Sequence, residues 1–76
     1  MEELLEILTD IDDSIDYTRE TALIDDHLLD SFGVITLVSE IEENFDISID
    51  AAEMTAENFN SADAIWEMIE RLKEEQ

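Results

Sequence analysis

Apolar residues recur at intervals of three and four in three stretches of this chain, and that periodicity confines it to packed helices. In EELLEILTDIDDSI the residues Leu4, Ile7, Leu8, Ile11 and Ile15 share one helical stripe, with Glu6, Asp10 and Asp13 opposite. The acids at its start suit the positive end of a helix dipole. A second helix is predicted from Asp30 or Ser31 to near Asn44. Val34, Leu37, Val38, Ile41 and Phe45 fall on its inner face, while Thr36, Ser39, Glu40 and Glu43 point away. A third stripe joins Ala62, Ile65, Trp66, Ile69 and Leu72. Asn60 or Ser61 can cap that helix, Asp63 is placed for a capping box, and Arg71 and Lys73 suit its C-terminal end.

The segments between these stripes are irregular. Residues 16–30 keep no period, and Tyr17, Leu23, Ile24, Leu28 and Leu29 are the side chains that can anchor them across a bundle. DISID reads as an extended link, since a strand that short cannot stand alone. AEMTAENF suggests a short helical turn. The chain has no proline and one glycine, so caps and loop polarity must set the helix ends. The expected fold is all-α: a small four-helix bundle with a long loop between helices 1 and 2 and a short third helix. Residues 1–76 make a single domain. A domain of this size hides only about 60% of the surface that its unfolded chain exposes.

Charge decides which partners such a bundle can meet. Twenty-three carboxylates face three basic side chains, a formal charge of -20, and fourteen acids lie between Arg19 and Arg71 with no Lys or Arg among them. Nucleic acid and anionic membranes would be repelled, so a basic protein surface is the natural partner. Self-repulsion also predicts that salt, divalent cations or mild acid stabilise the fold. No apolar run is long enough for a signal peptide or a membrane span, which points to a soluble cytoplasmic protein without membrane insertion; a monomer is expected.

Residue chemistry narrows the choice further. Without cysteine there is no disulfide framework, thiol nucleophile or thiolate metal site, and one histidine cannot build the familiar zinc clusters. Asp10, Asp12 and Ser14 alternate as calcium ligands would, but Ile15 stands where the loop needs glycine and Thr21 where it needs a bidentate glutamate. Ser31 and His27 lie near each other in sequence, yet no nucleophile-elbow pattern surrounds the serine. The remaining oddity is LLDSFG at residues 28–33. If Asp30 caps the second helix, Ser31 keeps a free hydroxyl at a helix N-terminus, where unpaired N–H groups favour an anion. Gly33 costs about 0.8–1 kcal/mol relative to alanine within a helix. It would keep the surface beside Ser31 low, and Phe32 falls on the side away from the core stripe.

LLDSFG, the VITLVSEIEENFDISI pattern behind it and the acidic four-helix context together resemble the acyl and peptidyl carrier proteins. Within that group the Phe-Gly pair, and the turn at Asn58, Phe59, Asn60 and Ser61, are most similar to the D-alanyl carrier proteins of teichoic acid modification. The resemblance implies an acyl-carrier-protein-like bundle with no catalysis of its own. It implies 4'-phosphopantetheine, derived from coenzyme A, joined to Ser31 by a phosphopantetheinyl transferase. The arm's thiol would hold an activated group as a thioester, loaded by an adenylating ligase and passed to acyl or D-alanyl transfer proteins. Asp30, Glu40, Glu42, Glu43 and Asp46 are the acids expected to steer basic partners, with Phe32 and Ile35 as apolar contacts. Reversal of Glu42 and Glu43 to Lys is expected to slow loading and leave the fold intact. A carrier for fatty-acid, polyketide or peptide synthesis, and an unmodified acidic interaction module, are the alternatives at this point.

Overall fold

The first helix, α1 (Glu2–Ile11), buries Leu4, Ile7 and Leu8. The structure, a computed structural model, describes residues 1–75. The apolar stripe continues to Ile15, but the helix stops a turn earlier. Asp12 is extended and its Oδ1 accepts hydrogen bonds from the Ser14 amide at 2.9 Å and the Ser14 hydroxyl at 2.6 Å. An Asx turn of this kind offers the backbone an alternative to helix. Ile15 still packs against the core from outside the helix.

Among the described residues four α-helices form, three where the periodicity predicts them and a short one within AEMTAENF. α2 (Ser31–Phe45) and α4 (Ala62–Glu75) are the long ones after α1, and α3 (Ala56–Phe59) is a single turn that follows a 3-10 turn at Ala51–Glu53. α2 packs on α1 and α4, and α4 also meets α1 and α3. The shared core holds Leu4, Leu8, Leu23, Leu37, Ile41, Phe59, Ile65 and Ile69, all essentially sealed from water. Each such side chain contributes about 1.5–3 kcal/mol by its burial. On α2 only Leu37 and Ile41 are fully buried; Val34, Val38 and Phe45 pack at the edge. Phe45 meets Trp66 edge to face at 5.7 Å, and the Lys73 ammonium lies 5.8 Å from the centre of the Phe45 ring. Trp66 is therefore a half-buried flank of α4, and Met68 takes a core place that the stripe does not assign.

The long connection between α1 and α2 has three buried anchors, Tyr17, Leu23 and Leu29, while Leu28 is 37% exposed. Its second half closes on itself. The His27 amide donates to the Ile24 carbonyl at 3.0 Å, and the Leu28 and Leu29 amides donate to the Leu23 carbonyl at 2.9 and 3.0 Å. This pairing is the pattern that ends a helical turn through one left-handed residue, here His27 at φ 57°. Asn60 then clips the loop to the far side of the bundle. Its Oδ1 accepts from the Ile24 and Asp25 amides at 3.0 and 3.1 Å, and its backbone carbonyl accepts from the Leu23 amide at 2.8 Å.

With Asn60 so used, Ser61 caps α4 by accepting from the Ala64 amide at 3.0 Å. Asp63 then falls one residue short of the capping-box position. The link at 46–50 is irregular and keeps Ile47 buried. Among the described residues no helix is long and apolar enough to cross a membrane.

Candidate functional site

Asp30 builds the head of α2. It is extended, with its Oδ1 accepting from the Gly33 amide at 2.7 Å and its carbonyl accepting from the Val34 amide at 3.0 Å. Ser31 follows as the first helical residue, exposed, with a hydroxyl that no group among the described residues engages. Capping and Ser31 are thus separate, as the sequence suggests.

Gly33 also has a reason within the fold. A Cβ there would lie 3.3 Å from Asp30 Oδ1, 3.6 Å from Leu29 and 3.7 Å from Ile11. The one tight contact is with the capping carboxylate, which the glycine lets approach the first turn of α2; Leu29 and Ile11 would be in ordinary contact with a Cβ. It lines a depression of about 530 Å³ between α1 and α2, beside Ile7, Ile11 and Phe32, and is absent from the groove that holds Ser31.

That second groove, about 670 Å³, runs from the loop across α2 to α3, and Ser31 stands in its wall with His27, Ile35, Met54, Thr55 and Phe59. Its surface is mostly apolar and open. Met54 is 42% exposed and Ile35 60%. The groove is not legible in sequence, because Met54 and Thr55 come from the irregular stretch after the link and carry no periodic signal.

The expected partner-facing residues separate into groups. Phe32 projects outward at 81% exposure, with Ile35 one turn along α2. Asp30, Glu43 and Asp46 are exposed, and Asp46 ends α2 in the left-handed conformation at φ 55°. Glu40 is half-buried, and its carboxylate receives Asn44 Nδ2 at 3.4 Å. Glu42 is also half-buried, and its Oε2 accepts the Ile49 amide at 2.9 Å. Glu42 therefore fastens the link to α2, so reversal of Glu42 removes an acceptor within the fold, while Glu43 makes no such contact.

The ion pairs among the described residues do not use the exposed acids of α2. Arg71 makes a two-pronged pair with Glu53 at 2.6 and 3.1 Å and reaches Glu75 at 3.5 Å, while Arg19 meets Asp16 at 3.6 Å. The Arg71 hydrogen bond holds the Glu53 carboxyl below its usual range. Asp12 and Asp16 are held low in the same way by Ser14 and Thr18, their Asx-turn partners. Asp12 thus serves the helix stop and Asp16 the turn that follows.

A covalent group on Ser31 fits these surroundings. The hydroxyl is uncommitted, amides of the first turn of α2 lie beside it, and an apolar groove begins at its side.

Comparison with characterised proteins gives a consistent result. The chain is 34% identical over 74 residues to the D-alanyl carrier protein of Listeria welshimeri, covering 95% of each chain. It is 30% identical to the D-alanyl carrier protein of Bacillus subtilis, again over 95% of each. It is 38% identical over 53 residues to that of Lactococcus lactis, covering 70% of this chain and 67% of the relative. No protein-family model matches it.

Proposed function

The chain belongs to the D-alanyl carrier protein family, and from that premise we propose that Ser31 is the residue through which it carries D-alanine. It is a carrier and not an enzyme, built to hold an activated group on covalent 4'-phosphopantetheine for teichoic acid D-alanylation. The observation that supports Ser31 is its exposed, unengaged hydroxyl at the head of α2, left free because Asp30 makes the cap. When bound, the arm supplies a terminal thiol that holds the aminoacyl group as a thioester. Ser31 Oγ accepts the arm, and the Asp30 cap fixes the backbone turn that carries it.

As a carrier it is served by a phosphopantetheinyl transferase and a loading ligase. The finer assignment is a D-alanine-activating, adenylating ligase in the cytoplasm, followed by D-alanyl transfer proteins. Asp30, Glu40, Glu43 and Asp46 steer the basic surfaces of these partners, and Glu42 lends charge while it holds Ile49. Phe32 and Ile35 make the apolar contact once the partner arrives. Apolar residues within an acidic rim are a common interface arrangement. Steering by such charges raises the association rate more than the lifetime, which suits a protein that visits several enzymes in turn.

The test presents the pantetheinylated protein separately to a D-alanine-activating ligase and to a fatty-acyl loading system. Charging with D-alanine is expected. Charging by the fatty-acyl system alone would overturn the assignment.

A further inference from the structure

His27 is the only histidine in the chain, and the fold holds it in a conformation that few side chains accept. At φ 57° it occupies the left-handed position that closes the loop turn, where glycine is the relaxed choice. Its side chain lines the same groove as Ser31. It is exposed, and no group among the described residues hydrogen-bonds its ring.

The charge around it makes the placement informative. Asp25 and Asp26 precede it in the loop and Asp30 stands at the head of α2; on the α3 side the lining residues Met54, Thr55, Ala56 and Phe59 are uncharged, with Glu57 exposed on α3 and Glu53 paired to Arg71 outside the lining. All three basic side chains lie elsewhere, on Asp16, on Glu53 and Glu75, and over Phe45. A phosphodiester on Ser31 would add one more anion beside Asp30. His27 is the single side chain lining that groove able to become a cation beside it.

We propose that His27 is a positioning residue for the phosphodiester: its imidazole N–H donates to a phosphate oxygen and holds the arm at the mouth of the groove. The inference rests on the reading of Ser31 as the attachment point. A charged donor makes the stronger hydrogen bond, so the contact tightens as the imidazole gains its proton.

The test is the phosphorus NMR resonance of the pantetheinylated protein, followed between about pH 5 and 8, where histidine is the side chain that ordinarily changes charge. A phosphodiester keeps its own charge across that window. Attachment at Ser31 is confirmed first by intact mass and peptide mapping. The wild-type resonance is expected to move along a single sigmoid, and His27→Asn, which tolerates the left-handed backbone, is expected to give a flat profile. In wild-type protein the His27 ring protons are also expected to shift on conversion from apo to pantetheinylated form, a reading that needs no variant. A flat wild-type profile, or the same profile in His27→Asn, would overturn the role of His27 while leaving Ser31 in place. An arm found at another residue would instead overturn the Ser31 reading, and this inference with it.

Discussion

The Glu42 carboxylate accepts the Ile49 amide hydrogen at 2.9 Å, so the outer edge of α2 is tied to the link that leaves its end. Glu43, the next residue, is exposed. Two neighbouring acids of one charged face therefore do unlike work. Glu42→Lys removes the acceptor and is expected to cost about 1–3 kcal/mol, the range for an amide left without its partner. Glu43→Lys is expected to change stability by no more than about 0.5 kcal/mol, as surface changes do, and to slow ligase association at low salt. Denaturant melts and loading kinetics across ionic strength separate the two. Equal stability of the variants would contradict the role of Glu42, and salt-independent loading by Glu43→Lys would contradict steering.

Asn60 carries the loop as much as any apolar anchor. Asn60→Ala leaves the Ile24 and Asp25 amides without their acceptor, and a loss of about 1–3 kcal/mol is expected. Hydrogen exchange should accelerate at those two amides more than at Leu23, whose partner is the Asn60 backbone carbonyl. Unchanged exchange at Ile24 and Asp25 would refute the clip.

Tyr17, the single tyrosine, couples the stability of the fold to alkaline pH. Burial, reinforced by the charges of Asp12 and Asp13, pushes its phenol up from 10.0 to about 12. Its hydroxyl donates to the Asp12 carbonyl at 2.8 Å. The folded state thus favours the neutral phenol. The stability this gives is full below the unfolded value of 10.0 and is lost as pH rises through about 12. Phenolate absorbance is expected to stay low in folded protein one unit above the ordinary value and to rise together with unfolding. Half-ionisation of the folded protein near its ordinary value would contradict this.

Most of the fold was legible because helix faces repeat. The stripes at Leu4, Leu8, Leu37, Ile41, Ile65 and Ile69 point at one core, and periodicity is the signal of such burial. Local side-chain chemistry was harder to read. Asp12 stops α1 before its stripe ends, and Asn60 leaves the capping of α4 to Ser61 because its own amide is needed by the loop. The first is a local turn that competes with the helix stripe, and the second depends on a partner far away in the chain. The site divides in the same way. Asp30, Ser31 and Phe32 follow from their order at a helix head, whereas the groove of His27, Met54 and Phe59 exists only once the loop and α3 are folded against α2. The left-handed turn at His27 gave no warning, since glycine, its usual marker, is missing there.

The central claim is that Ser31 Oγ receives the arm. Its most direct measurement is intact mass after incubation with coenzyme A, magnesium and a broad phosphopantetheinyl transferase. The account predicts that the wild-type chain gains the mass of one phosphopantetheinyl group. It predicts that Ser31→Ala gains none while its circular dichroism and melting stay close to wild type, because the hydroxyl supports nothing in the fold. No gain by the wild-type chain, or the same gain by Ser31→Ala, would contradict it.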